Sequence, residues 1–73
     1  MKYIITDKDE VRTGSESSFH VNIADGCLGK VNRAGHYDIV KETGDLIVYG
    51  ESVGYHIRAK ETDIPLIRKA LGL

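Results

Sequence analysis

The sequence predicts an α+β protein: a small, mostly antiparallel β-sheet of five to six strands covered by one C-terminal helix. In several short segments, apolar and polar residues alternate with period two between glycine-containing turns, which is typical of half-buried strands. The end of the chain changes to helical spacing. With 73 residues, the chain is expected to form a single domain, residues 1–73.

The first strand is predicted at the apolar run 3–5, close to the start of the sequence. The charged stretch 7–10 ends this strand. Residues 12–18 are polar and predict a loop, with Val11-Arg12 as a short segment that pairs with a neighbouring strand.

The next strand is predicted at residues 19–24, where apolar and polar side chains alternate. This alternation places Phe19, Val21 and Ile23 on the core side of the strand. The imidazole of His20 is therefore expected to point away from the core, toward solvent.

Turn-forming residues divide the next part of the chain into further strands. In chain order the predicted elements are a hairpin turn at Asp25-Gly26, a strand at 27–33, a bend at Gly35, a strand at 37–41, a turn at 43–45, a strand at 46–49, a turn at 50–52 and a last strand at 55–60.

The C-terminal helix is predicted from the spacing of Ile64, Ile67 and Leu71, which places these residues on one helix face. Pro65 is compatible with a first helical turn, and Gly72 lies just past the expected end. We therefore expect a single helix covering one face of the sheet.

Composition excludes several classes of partner and location. Ten lysines and arginines against eleven acidic residues give a net charge of −1, so no nucleic-acid partner is expected. No apolar run approaches the ~18 residues of a membrane span, so no membrane association is expected. Cys27 is the only cysteine, so there is no disulfide framework and the cytoplasm is the expected location.

Two segments carry the candidate chemistry. His20 offers an imidazole, and segment 48–55 places Ser52 and Gly54 at a glycine-flanked turn where backbone amides can face an anion. A base beside an anion site favours phosphoryl chemistry. The histidines lack metal-ligand spacing and no nucleotide-binding glycine motif occurs, so neither a metal nor another cofactor is expected.

Four patches in chain order cover nearly the whole sequence. They are Lys2-Tyr3-Ile4-Ile5 with Val11-Arg12, Phe19-His20-Val21-Asn22-Ile23, Gly26-Cys27-Leu28-Gly29 with Gly35, and Val48 to Tyr55. Together they resemble the phosphohistidine phosphatase family, also called the janus/ocnus family, whose members are small α/β phosphatases that need no metal. This chain departs from the family pattern at Gly54, which replaces an alanine, and at His36, which stands about where relatives carry an arginine.

The resemblance implies a metal-independent phosphatase that hydrolyses phosphohistidine in a protein or a small phosphoramidate. His20 would be the general base that activates a water molecule. The other implied contacts to the phosphoryl group are Lys2 as the countercharge, Ser52 through its hydroxyl, Val21 and Gly54 through backbone amides, and Arg12, which would bind a phosphate or an acidic partner surface.

Three alternatives remain open from the sequence. In a covalent variant of the reaction, His20 itself takes the phosphoryl group. In a second reading, the chain is a non-catalytic module that recognises a phosphate or another protein. In a third, it is an interaction protein that forms a homodimer through the sheet face that the helix leaves uncovered.

Overall fold

The computed structural model describes residues 1–73. It contains six strands, two helices and a single 3₁₀ turn. In chain order the elements are β1 (Lys2–Thr6), β2 (Val11–Gly14), α1 (His20–Ile23), β3 (Val31–Ile39), β4 (Leu46–Tyr49), β5 (Glu51–Ser52), β6 (Ile57–Arg58), the 3₁₀ turn (Glu61–Asp63) and α2 (Ile64–Leu71).

The strands form two antiparallel sheets. The main sheet has the order β2-β1-β3-β4, and β5 pairs only with β6. The α+β class, the antiparallel sheet and the C-terminal helix are therefore confirmed, but the single sheet of five to six strands is wrong. The chain leaves the main sheet at Gly50, whose φ of 71° lies in the left-handed region, so β5 does not continue the ladder of β4.

The core lies between the main sheet and α2. Its buried apolar side chains are Tyr3, Ile5, Tyr37, Leu46 and Ile67. Pro65 lies in the first turn of α2 and Gly72 ends the helix with a φ of 76°, as the sequence predicts. Neither helix has the length and apolar character needed to cross a membrane.

A buried polar contact joins the first strand to the start of α2. The hydroxyl of Tyr3 donates to the fully buried Asp63 carboxylate, which also accepts from the backbone N–H of Lys60 at 3.2 Å. Burial and the bond to Asp63 raise the pKa of Tyr3 far above its ordinary value. The Nε atom of Arg33 lies 3.7 Å from the same carboxylate and offsets its charge.

The predicted strand at residues 19–24 is wrong. Phe19 is extended, and the chain then forms the short helix α1, in which the N–H of Ile23 donates to Phe19 O at 3.1 Å. The predicted orientations of His20 and Phe19 are reversed: His20 is only 7% exposed, whereas Phe19 is 70% exposed. In a helix, His20 and Ile23 share a face, and this face packs on the sheet.

The segment after α1 also differs from the prediction. Asp25-Gly26 ends the α1 turn and makes no hairpin, and β3 begins at Val31 rather than at residue 27. The backbone N–H groups of residues 28 and 29 donate to the Glu10 carboxylate at 2.9 and 2.7 Å. A side chain therefore accepts the hydrogen bonds that a neighbouring strand would accept in a β-sheet. These bonds lower the pKa of Glu10.

Two further predicted elements are changed. Gly35 does not bend the chain, because β3 runs without a break from Val31 to Ile39. The last strand is shorter than the predicted 55–60: β6 holds only Ile57–Arg58, and a turn occupies residues 53–56. His56 in that turn has a φ of 56°, which lies outside the extended region, so a strand cannot run through residues 55 and 56.

We expect Gly35→Ala to lower the free energy of unfolding by about 1 to 3 kcal/mol, because it overpacks a filled site. A Cβ at Gly35 would lie 2.6 Å from Ala59 Cβ and 3.1 Å from Ala59 Cα, and backbone cannot move aside easily. Urea denaturation measures the change. Gly54→Ala is the matched control, since its Cβ meets only Val21 Cγ1 at 3.9 Å. Equal stability of both variants would show that Gly35 is not tightly packed.

Candidate functional site

One cleft gathers most of the residues that the sequence predicts as functional. It has a volume of about 240 Å³ and lies beside the first turn of α1, at the end of the main sheet where β5 begins. Its lining residues are Lys2, Phe19, His20, Val21, His36, Glu51, Ser52, Val53 and Gly54. Of the predicted site residues, Lys2, His20, Val21, Ser52 and Gly54 therefore meet at one place.

Arg12 is the predicted site residue that the cleft does not include. It lies on β2, the edge strand of the main sheet, opposite Ile4, and its side chain is exposed. Arg12 therefore lies outside the cleft, and its role in binding a phosphate or an acidic partner surface stays a prediction.

The backbone of β3 orients the imidazole of His20. The ring Nε2 lies 2.9 Å from the carbonyl oxygen of Gly35, and a carbonyl only accepts, so Nε2 carries the proton. In the neutral ring, Nδ1 then keeps its lone pair. Burial lowers the pKa of His20 below its ordinary value of 6.5, and the nearby Lys2 charge lowers it further against the opposing bond to Gly35. His20 is therefore an oriented imidazole that is neutral at neutral pH.

Because burial depresses the pKa of His20, we expect stability to rise with pH in the range just below 6.5. Between the folded and unfolded pKa values, the unfolded chain binds more protons, so lowering the pH favours unfolding. Urea denaturation at about pH 5 to 8 measures the slope. The slope should flatten in His20→Gln and persist in His56→Asn. Equal slopes in all three proteins would contradict the assignment.

Lys2 supplies positive charge at the edge of the cleft. Its Nζ donates to the backbone oxygen of Ser18 at 2.7 Å and lies 5.9 Å from the ring centroid of Phe19. An ammonium group has three N–H donors, so two remain for an anion after the bond to Ser18. The bond to Ser18 thus holds the Lys2 ammonium near the cleft and leaves two of its N–H donors free.

Ser52 has an unsatisfied hydroxyl. It is fully buried in β5, and its Oγ has no hydrogen-bond partner in the protein. Leaving a buried hydroxyl unpaired costs about 1 to 3 kcal/mol, so such groups are rare unless a bound molecule satisfies them. Ser52 also lines the cleft, so its unpaired hydroxyl lies next to the space that a bound molecule would occupy.

Sequence reasoning missed His36 as a cleft residue. Lys2 and His36 are directly opposite in the pairing of β1 with β3, so their side chains share a sheet face. The rings of His20 and His36 meet edge to face with centroids 5.6 Å apart. The two histidines are therefore adjacent, although their sequence separation suggested dispersal. The strand register would have revealed this, and the sequence alone does not define it.

The mouth of the cleft is apolar and exposed. Phe19, Val21 and Val53 are 70%, 55% and 74% exposed. Glu51 is also at this edge and was not predicted. No group of three or more His, Cys, Asp or Glu side chains is placed to hold a metal ion. The site therefore combines two buried polar side chains, His20 and Ser52, with an exposed apolar rim and charged groups at its edge.

Comparison with known proteins adds no relative to this description. No protein-family model matches the chain, and neither a curated protein nor a solved structure matches it.

Proposed function

We propose that this chain is a compact phosphatase of the phosphohistidine-phosphatase type, acting without a metal on phosphohistidine or a related phosphoramidate. The observation that carries the proposal is that one cleft contains Lys2, His20 and Ser52, which come from distant parts of the sequence. Each supplies a different function that phosphoryl transfer requires: a countercharge, a base and a neutral donor.

In the proposed reaction, a water molecule beside His20 attacks phosphorus. Nδ1 of His20 accepts the proton of the water as the new P–O bond forms, while Nε2 stays bonded to Gly35. The P–N bond breaks, and its electron pair stays with the leaving nitrogen. Lys2 and the hydroxyl of Ser52 stabilise the charge on the equatorial oxygens, with the backbone amides of Val21 and Gly54 as further donors.

The size of the cleft supports a small substrate group. Its volume of about 240 Å³ lies below the ~300–1,000 Å³ typical of small-molecule pockets. A phosphorylated side chain that enters alone suits this space better than a nucleotide. The exposed apolar rim offers contact to the residues around such a side chain.

We also propose the cytoplasm as the location, because a lone cysteine gives no sign of an oxidising compartment.

The direct test is release of inorganic phosphate from phosphohistidine with and without a metal chelator. We expect hydrolysis that is unchanged by the chelator. Complete loss of hydrolysis in the chelator would contradict the metal-independent mechanism, and absence of hydrolysis by the folded protein under both conditions would contradict the enzyme. A phosphorylated form of the protein that accumulates during turnover and is stable to base but labile to acid, as a phosphorylated imidazole is, would instead support the covalent variant with His20 as nucleophile.

A second candidate function is a phosphate-recognising module on the same cleft. The exposed apolar rim favours it, because Phe19, Val21 and Val53 form a surface suited to a protein partner. Binding of a phosphorylated peptide without turnover would support this candidate over the enzyme. Sedimentation of the protein alone tests the homodimer: a monomer at high concentration would contradict self-association through the sheet face that the helix leaves uncovered.

A further inference from the structure

His36 is held firmly at the cleft by contacts on several sides. Its ring stacks on Tyr49 with centroids 5.5 Å apart and an interplanar angle of 20°. A Cβ at Gly50 would lie 2.8 Å from Cδ2 of His36, so the glycine allows the ring to lie close against the backbone. The ring of His20 also contacts it edge to face, so the imidazole has little freedom to change orientation.

A carboxylate orients the same ring. Nδ1 of His36 lies 3.0 Å from one oxygen of Glu16 and 3.3 Å from the other. The Met1 ammonium and the His36 imidazole, both bonded to Glu16, lower the pKa of its carboxyl, so Glu16 is ionised at neutral pH. A carboxylate only accepts, so Nδ1 carries a proton and Nε2 is the nitrogen left for other partners.

This arrangement is that of a proton donor. The Glu16 carboxylate fixes Nδ1 as a proton-bearing nitrogen of His36 and sets the orientation of the ring, as in other histidine–carboxylate pairs. His20 is bonded instead to a backbone carbonyl through Nε2, and burial lowers its pKa. Two adjacent imidazoles, one oriented by a carbonyl through Nε2 and the other by a carboxylate through Nδ1, suit the paired roles of base and acid.

We infer that His36 is the general acid of the cleft and protonates the leaving nitrogen, while Glu16 is the residue that positions it. This inference rests on the proposed phosphatase function. As water attacks, its proton moves to Nδ1 of His20, and the proton on Nε2 of His36 moves to the nitrogen of the breaking P–N bond. The products are inorganic phosphate and the free amine or imidazole. Solvent then takes the proton from His20 and returns one to His36.

The inference also specifies the substrate class. A strongly basic leaving nitrogen departs poorly without a proton, whereas an electron-poor one departs more easily. The paired histidines therefore suit phosphoramidates with basic leaving groups. Of the other charged groups around His36, Lys2 is its direct strand partner and Glu51 lines the same cleft; neither forms a hydrogen bond to the ring.

The test compares two N-aryl phosphoramidates that differ in leaving-group basicity, phenyl and 4-nitrophenyl, by release of inorganic phosphate. His36→Asn is the principal variant, because its amide can replace Nδ1 as donor to Glu16 but offers no proton at the Nε2 position. His56→Asn is the matched control, since His56 is exposed in the turn outside the cleft. Glu16→Gln tests whether the Glu16 carboxylate positions the His36 ring.

For His36→Asn we expect kcat/KM to fall about 100-fold or more with the phenyl substrate and less than about 10-fold with the 4-nitrophenyl substrate. Glu16→Gln should show the same substrate dependence with a smaller loss, and His56→Asn should match the wild type. Equal losses on both substrates would overturn the general-acid role while leaving the phosphatase intact. Absence of hydrolysis by the wild type would overturn both proposals.

Discussion

We expect His20→Gln to lower kcat/KM for phosphohistidine hydrolysis by about 10² to 10⁴, the range typical of losing a general base. Glutamine can place an amide N–H near the position of Nε2, so the bond to the carbonyl of Gly35 can be kept. What is lost is the lone pair of Nδ1, which has no equivalent in glutamine. The measurement is steady-state phosphate release together with urea denaturation of the same variant.

The comparison with His20→Ala separates the catalytic effect of His20 from its effect on the stability of the fold. Alanine removes both nitrogens and leaves the buried Gly35 carbonyl without its side-chain donor, so this variant should lose activity and also about 1 to 3 kcal/mol of stability. His56→Asn again controls for loss of a histidine elsewhere. Activity of His20→Gln within a few fold of the wild type would contradict the role of His20 as base.

For Ser52→Ala we expect opposite effects on binding and on stability. The hydroxyl is buried and unpaired in the free protein, so its removal should leave the free energy of unfolding unchanged or raise it by about 1 kcal/mol. The same removal deletes a donor to a charged phosphoryl group, which is worth about 1.5 to 3 kcal/mol. Affinity for inorganic phosphate should therefore fall by about 10- to 150-fold.

Isothermal titration with inorganic phosphate and urea denaturation measure these two effects on one preparation. Ser17→Ala is the matched control, because Ser17 is exposed and bonds only to Ser15, away from the cleft. Phosphate affinity that is unchanged in Ser52→Ala would show that the hydroxyl does not contact the anion. A large loss of stability would show that its partner lies within the protein.

Local sequence patterns correctly predicted the elements whose buried residues follow the spacing expected for a strand or a helix. Strand β1 and helix α2 are examples, since Tyr3 and Ile5 alternate toward the core and Ile67 lies on the helix face that covers them. Pro65 and Gly72 mark the ends of α2 through their own backbone preferences. These features are encoded within a few residues of each other, which is why the sequence alone was sufficient.

The predicted strand at residues 19–24 failed because the segment is too short for its period to be decisive. Alternation over five residues also satisfies the i, i+3 spacing of one helical turn, which buries His20 with Ile23. The prediction that His20 faces solvent failed with it, although the prediction that it belongs beside Ser52 agrees with the cleft. The structure thus brings these candidate residues together even though the predicted local structure of His20 was wrong.

His36 illustrates what a single sequence does not contain. Its place beside His20 depends on the pairing of β3 with β1 and β4, which puts it opposite Lys2 on one strand and Tyr49 on the other. Strand register is set by long-range packing, and a shift of one residue would turn His36 to the opposite face. The structure was therefore needed to bring the second histidine into the site.

The central claim is that this one cleft recognises a phosphoryl group, and an NMR titration of ¹⁵N-labelled protein with inorganic phosphate tests it most directly. We expect the backbone amide signals of Val21, Ser52 and Gly54 to shift along one saturating curve with a common Kd, while those of β2, including Arg12, remain in place. Saturable shifts confined to β2, or no saturable shifts at any of the three cleft amides, would contradict the account.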